Sequence, residues 1–448
     1  MIRPNATWRL VAVAGVAAIA LAACGSDSGG GGGDTTSAAA TGTPLYLVDG
    51  NIGLAELEAL PAGTLDGVQG TLPGAQTGQE FRDQLNQINP KLADIGYSYA
   101  PESYDAAMLI ILAAIQGKSD AGKDIAANLA EVSMGGTECT TFKDCNDLLK
   151  KGEDIDYNGQ SGPIEFDQFG DPTVATIGIY EYNDENKVYG QNAPATDTSP
   201  VFNEGNLEPS TDTAPKLTSV TNQGADGKLT LGSILPVTGS LASLGPPEFA
   251  GVELAVQQAN DGGGVLGNDV KFIEGDSGDT TTDTAAKTVD KQLKQGVDAI
   301  IGAASSSVSL SVIDKITGAG VVHFSPANTS PELTTYPDNG LYFRTAPSDV
   351  LQGRFLGNLI TSDGYCSIGI LALQDSYGEG LAGATTDSIQ AGGCDVLDTV
   401  IYDPNATSFS TEVSKIKSQD PDAIVLIGFN ESAKVINELV KQGIGPNS

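Results

Sequence analysis

The first residues whose types and spacing could do chemistry are Val321-Val322-His323-Phe324-Ser325-Pro326-Ala327-Asn328-Thr329-Ser330-Pro331-Glu332. A short apolar run, read as a buried strand, breaks into hydroxyls and an amide around two prolines. Thr329 and Glu332 have capping-box spacing, and Pro331 suits a first helical position. Such a turn aims N–H groups and hydroxyls at one spot, which suits an anion such as a carboxylate. The same residues would also serve as plain caps of a strand-to-helix loop. Gly378-Glu379-Gly380-Leu381-Ala382-Gly383 reads GxGxxG, a phosphate-cradling pattern. Gln374–Tyr377 separates it from the preceding strand, and Asp395 and Asp398 come earlier than the acid about 20 residues on that a dinucleotide fold uses. The single histidine, His323, lies inside an apolar strand, so no Ser/His/Asp set and no His-rich metal site can be built. Neither an enzyme nor a cofactor is expected.

The elements that must position these residues follow a regular rhythm from Lys228 onward. Strands at Leu229–Leu235, Val270–Glu274, Ala299–Gly302, Ser367–Leu373, Val396–Tyr402 and Ala423–Ile427 alternate with helices, which predicts a parallel, doubly wound α/β sheet. A second such unit begins near Pro347. Before Lys228 come strands at Leu45–Val48, Gly67–Leu72, Gly162–Phe166 and Val174–Tyr182. Helices at Glu80–Ile88, Ser103–Gln116 and Asp124–Val132 accompany them, and Ser103–Gln116 is apolar nearly all round, hence buried. Asn183–Gly227 is rich in Pro, Thr, Asn, Asp and Gly without periodicity and reads as a linker.

The 448 residues suggest two or three domains, and 40% hydrophobic content supports real cores. A net charge of -34 argues against nucleic acid or an anionic membrane as electrostatic partner. Arg3 and Arg9 precede the small apolar run Leu10–Ala23, the architecture of a signal peptide. Leu21-Ala22-Ala23-Cys24 looks like a bacterial lipobox, with Cys24 lipidated; an ordinary signal peptide is the alternative. Glycines and a Thr/Ser/Ala run then make a flexible tether. The other four cysteines allow three pairings, of which proximity favours Cys139–Cys145 and Cys366–Cys394.

Several stretches at consistent spacing resemble the leucine/isoleucine/valine-type substrate-binding proteins of bacterial ABC importers. They are Ile234–Gly239 with Gly245, Glu248–Gly251, Gly302–Ser307, Ser325–Thr329, Phe343–Thr345, Tyr377–Ala382 and Asp49–Asn51. The resemblance implies a type I periplasmic-binding-protein fold: two α/β lobes joined by a three-strand hinge, with ligand trapped between them. In the family the segments matching 228–448 come first, so the order here implies a circular permutation; a fused gene or a swapped two-chain assembly would read the same. The expected organisation is signal peptide 1–23, tether 24–44, one lobe from 73–171 and 228–347, the other from 45–72, 172–183 and 348–448, and a linker at 184–227 joining the original termini. By the same resemblance, Ser306, Thr329 and backbone groups of Ala327 hold a ligand carboxylate. Asp49 takes its ammonium, Tyr377 closes over it, and Leu244 and Phe429 shape the side-chain pocket. The implied partners are an amino acid, branched-chain-type or related, a membrane permease and a lipid anchor on an exported protein; a ligand sensor without transport is the second reading.

Overall fold

The computed structural model describes residues 42–188, 201–208, 212 and 225–447. The signal peptide, Cys24 and all but the end of the tether lie outside the described residues.

The first described elements are β1 (Leu45–Leu47), α1 (Ala55–Glu58) and β2 (Gln69–Pro73). A helical block follows: α2 (Gln79–Ile88), α3 (Leu92–Ile95), α4 (Ala100–Gly117) and α5 (Gly122–Val132). Next come β3 (Thr137–Cys139), α6 (Phe142–Lys151), β4 (Ile155–Tyr157), β5 (Val174–Glu181) and β6 (Val201–Asn206). The alternating region opens with β7 (Thr230–Ile234), α7 (Gly245–Asp261), β8 (Lys271–Ile273), α8 (Thr284–Lys294), β9 (Ala299–Gly302), α9 (Ser306–Gly318), β10 (Val322–Ser325) and β11 (Tyr342–Arg344). It continues with α10 (Asp349–Ser362), β12 (Ser367–Leu373), α11 (Ser376–Ala391), β13 (Asp395–Tyr402), α12 (Ser410–Lys417), β14 (Ala423–Ile427) and α13 (Ser432–Lys441).

These strands build two main sheets. One has five parallel strands in the order β11-β10-β9-β7-β8. The other runs β13-β12-β14-β1-β2-β5-β6. Strands such as β9 (AIIG) and β14 (AIVLI) are buried throughout, as helices on both faces of a parallel sheet require. β1 is wedged between β14 and β2, parallel to both, with Leu45 opposite Ile424 and Tyr46 opposite Val425. Among the described residues, the chain passes between the two lobes after β2, before β5 and after β11. Asp171 and Arg344, buried beside two of these passages, form a two-pronged ion pair at 2.6 Å on each prong.

α4 is buried along most of its length and packs its start on α7. The approach is so close that a Cβ on Gly251 would lie 2.3 Å from the Ala100 carbonyl oxygen, which explains the glycine in Glu248-Phe249-Ala250-Gly251. Both favoured disulfides are formed, Cys139–Cys145 and Cys366–Cys394.

Four expectations are corrected. The large sheet is mixed rather than purely parallel, because β5 runs antiparallel to β2 and β6 antiparallel to β5. Val201–Asn206 is that sheet's edge strand, although it lies within the expected linker. An edge strand bonds on one side only and carries exposed polar residues, so it lacks an apolar signature. Gly162–Phe166 forms no strand; only Phe166 makes an isolated bridge, to Pro172. The segment after Thr329 is a single 3-10 turn, Pro331–Leu333, whose cap is Ser330 and not Thr329. Ser330 Oγ accepts the Glu332 N–H at 3.3 Å.

Candidate functional site

In both main sheets the parallel strands point their carboxyl ends at the gap between the lobes, where open α/β sheets place ligands. A small cavity of about 20 Å³ lies there, far below the range of about 300–1,000 Å³ common for small-molecule clefts. It is lined by Asp49, Gly50, Tyr99, Leu241, Leu244, Ala304, Ser305, Ser306, Ala327, Tyr377 and Phe429. Six of the seven sequence-predicted binding residues are in that lining. Thr329 stands behind it, buried, with its N–H donating to Ser306 Oγ at 3.3 Å.

The five-stranded side supplies hydroxyls and a helix start. Ser305 caps α9, accepting the Val308 N–H, so the first turn of this 13-residue helix opens on the cavity. Ser306 Oγ also accepts the Ser330 N–H at 3.2 Å. The loop after β10 is held from within. Ser325 Oγ donates to the Ala303 carbonyl at 2.8 Å and accepts the Ala327 and Asn328 N–H groups. Asn328 Nδ2 donates to the Ala303 and Ala304 carbonyls. From beneath, Arg344 Nη1 donates to the Asn328 and Ser330 carbonyls at 3.3 and 2.9 Å, which transmits the Asp171 ion pair to the loop.

The seven-stranded side supplies the acid. Asp49 follows β1 and is buried. Its Oδ1 accepts the Tyr377 hydroxyl at 2.6 Å and Gln352 Nε2 at 2.9 Å, and its Oδ2 accepts the Tyr99 hydroxyl at 2.7 Å. Burial pushes the Asp49 carboxyl above its ordinary range, while these three bonds pull it down. Tyr377 stacks on Phe429 with ring centroids 5.5 Å apart and planes 7° from parallel. Gly50 is required here: a Cβ would meet the Gly428 carbonyl at 2.7 Å and the Tyr377 hydroxyl at 2.9 Å.

The halves also touch directly. Ser307 Oγ lies 2.9 Å from Ser376 Oγ, and Ser330 Oγ donates to the Ser376 carbonyl at 3.0 Å. The GxGxxG glycines sit inside α11 rather than in a phosphate loop. Gly378 fits against the Leu373 carbonyl and Gly380 against Pro331 of the opposite lobe, so they serve close packing. His323 is a core residue, and burial lowers it to about 4.

Sequence reasoning missed Tyr99, Leu241, Ala304, Ser305 and Gly50. Tyr99 is the most consequential. It precedes α4 in the left-handed conformation (φ 61°, ψ 7°), uncommon for a bulky residue, and only this turn brings its ring to Asp49.

Residues 228–448 match the family described as periplasmic binding protein. That stretch is just under half of the chain, and it is what the chain shares with the family. It is 29% identical over 226 residues to the chemotactic signal transduction system substrate-binding protein BasB of Halobacterium salinarum, covering 48% of this chain and 54% of that one. It is 28% identical over 210 residues to the Leu/Ile/Val-binding protein of Escherichia coli, covering 46% and 57%. The crystallised leucine-binding protein LivK of Thermotoga maritima matches with 24% identity and a TM-score of 0.42, covering 48% and 59%. The chain therefore spans little more than half the length of the curated relatives it matches. Residues 228–448 are thus similar to periplasmic binding proteins of the Leu/Ile/Val-binding type, and the two α/β lobes fit the type I fold of that family. Those named relatives are binding proteins rather than enzymes.

Proposed function

We propose that the protein captures an amino acid, branched-chain-type or related, between its two lobes and presents the closed form to an ABC permease. The carrying observation is the division of the cavity. Asp49 stands on one lobe, and the Ser305–Ser306 helix start with the Ala327–Thr329 loop stands on the other. A zwitterion placed between them offers its ammonium to the acid and its carboxylate to the hydroxyls and N–H groups. Charge-assisted bonds of roughly 1.5–3 kcal/mol each bring a few such contacts to micromolar affinity, near -8 kcal/mol. Leu241, Leu244, Tyr377 and Phe429 favour an apolar or small side chain. Ligand contacting both lobes favours closure, because it binds the closed form better than the open one. Calorimetric titration with L-alanine, L-valine, L-leucine and L-phenylalanine tests this; absence of binding by all four, and by other amino acids, would overturn it.

Ligand sensing without transport is the second reading, and the signalling role named for BasB favours it. Deleting a neighbouring permease gene separates the two: uptake is lost under the first, and a behavioural response persists under the second. The lipid anchor at Cys24 belongs to the same proposal, and the mass of the exported protein tests it. An unmodified chain beginning at Cys24 would count against the anchor.

A permuted order is part of this reading as well. Its support is β1, which completes the sheet of the 228–448 segment from the other end of the sequence, with the Ile424 N–H donating to the Pro44 carbonyl at 2.8 Å. A gene rearranged to run 228–447 and then 45–208, which keeps the edge strand β6, is expected to fold and bind the same ligand.

A further inference from the structure

Asp349 is the first residue of α10 and is completely buried, yet among the described residues neither side-chain oxygen has a hydrogen-bond partner. Its backbone N–H is satisfied by the Thr329 carbonyl at 2.7 Å. The Thr329 hydroxyl lies near the carboxyl without making a bond of normal geometry. Gln352, one turn further along α10, donates to Asp49 Oδ1, so this face of the helix looks toward Asp49. A buried carboxylate without a partner is either neutral or matched by a cation that is not part of the chain.

Four titratable groups among the described residues act on it from the elements packed around it. Asp49 approaches from the β1 loop, Asp375 and Tyr377 from the start of α11, and Tyr99 from the start of α4. Arg344 of β11 is the nearby cation, and its guanidinium already carries the Asp171 ion pair and two loop carbonyls. Burial first, and the neighbouring Asp49 carboxylate second, push Asp349 well above the ordinary carboxylate range. Two interacting carboxyls of this kind titrate as a pair.

We propose that Asp49 and Asp349 share one proton before ligand enters and release it when a ligand ammonium arrives, which makes Asp349 a positioning residue for the amine end of the site. The inference rests on the amino-acid reading above. The released proton goes to solvent or buffer, and the ammonium keeps all of its own. The pair changes from one negative charge to two, opposed by the ligand's positive charge. Affinity is then full above the pair's ligand-free titration and falls about tenfold per pH unit as pH drops through it. The fall stops at the lower titration of the complex.

The test is calorimetry on the intact protein, using whichever of the four amino acids named above binds best, in phosphate and in Tris near pH 7. Buffers of different ionisation enthalpy report the protons exchanged. About one proton released by wild type, falling to near zero in Asp349→Asn with a flat affinity profile from about pH 5 to 8, is the expected result. Equal heats in both buffers with a flat wild-type profile would overturn the inference and leave the amino-acid reading standing. So would an Asp349→Asn protein that still releases the proton. If Asp349→Asn does not fold, the wild-type proton count decides alone. Failure of every amino acid to bind at any pH would overturn both.

Discussion

Replacing Asp49 with alanine tests the site most directly. In the structure this carboxylate is reached by Tyr377, Tyr99 and Gln352, and a ligand ammonium would add a charge-assisted bond to it. Truncating one partner of a buried, hydrogen-bonded charge pair costs about 2–5 kcal/mol. At about 1.4 kcal/mol per decade, Kd should rise about 30- to 4,000-fold. Stability should fall less. Three buried donors lose their acceptor, at about 1–3 kcal/mol each at most, but removal of a desolvated carboxyl offsets part of this. The one tryptophan, Trp8, lies in the expected signal peptide, so tryptophan fluorescence of the exported protein would report nothing. Titration calorimetry measures the affinity and scanning calorimetry the fold. A cooperatively unfolding Asp49→Ala protein with Kd within about threefold of wild type would refute the assignment of Asp49 to the ligand amine.

Arg344→Met leaves Asp171 buried without its partner and frees the Asn328 and Ser330 carbonyls; a loss of about 3–5 kcal/mol by thermal unfolding is expected, with weaker ligand binding as the loop relaxes. Tyr99→Gly removes a bulky residue from the left-handed region and joins the candidate cavity to a neighbouring one of about 30 Å³ lined partly by Arg82, Glu102 and Tyr180. All affinities should drop with the lost bond to Asp49, but the ratio of phenylalanine to valine affinity should move toward phenylalanine. Glu102 is buried and pushed up to about 8, by desolvation first. Its folded value lies above the unfolded one, so the stability it allows is fully present below about pH 4.5 and is lost as pH rises through 8. At about 1.4 kcal/mol per tenfold change, the upper limit is about 5 kcal/mol, and Glu102→Gln should flatten the decline of Tm between about pH 5 and 8. His323, lowered to about 4, has the opposite sign. Its contribution is present above about pH 6.5 and is lost as pH falls toward 4.

What the sequence disclosed follows burial. β9 and β14 are continuous apolar runs because helices cover both faces, and such runs can be read directly. β6 draws its order from bonds to β5 along one edge, and nothing in Val-Phe-Asn-Glu-Gly-Asn announces that neighbour. The site divides the same way. Ser306 and Ala327 sit in local strand-to-helix turns whose residues carry their own signature, and Asp49 became visible through a resemblance. Tyr99 had no such marker. Its place depends on a left-handed residue before α4 and on the packing of α4 against Gly251, both of which are tertiary facts.

The same distribution explains why closure and binding belong together. Tyr99 is positioned by α4, which packs on α7 of the five-stranded lobe, yet its hydroxyl donates to Asp49 of the other lobe. Ser307 and Ser330 reach Ser376 across the same gap. Each such bond is worth about 0.5–1.5 kcal/mol net, so together they bias the hinge by only a few kcal/mol. Differential binding of a ligand must supply the rest, and about 5.5 kcal/mol carries a two-state hinge from almost wholly open to almost wholly closed. In the proposed binding mode a zwitterion is pinned at both ends, its ammonium at Asp49 and its carboxylate at Ser306, and it meets that requirement only when both lobes contribute. A ligand satisfied by one lobe alone would bind without closing the hinge, and in that mode the split of Asp49 from Ser306 would select against it.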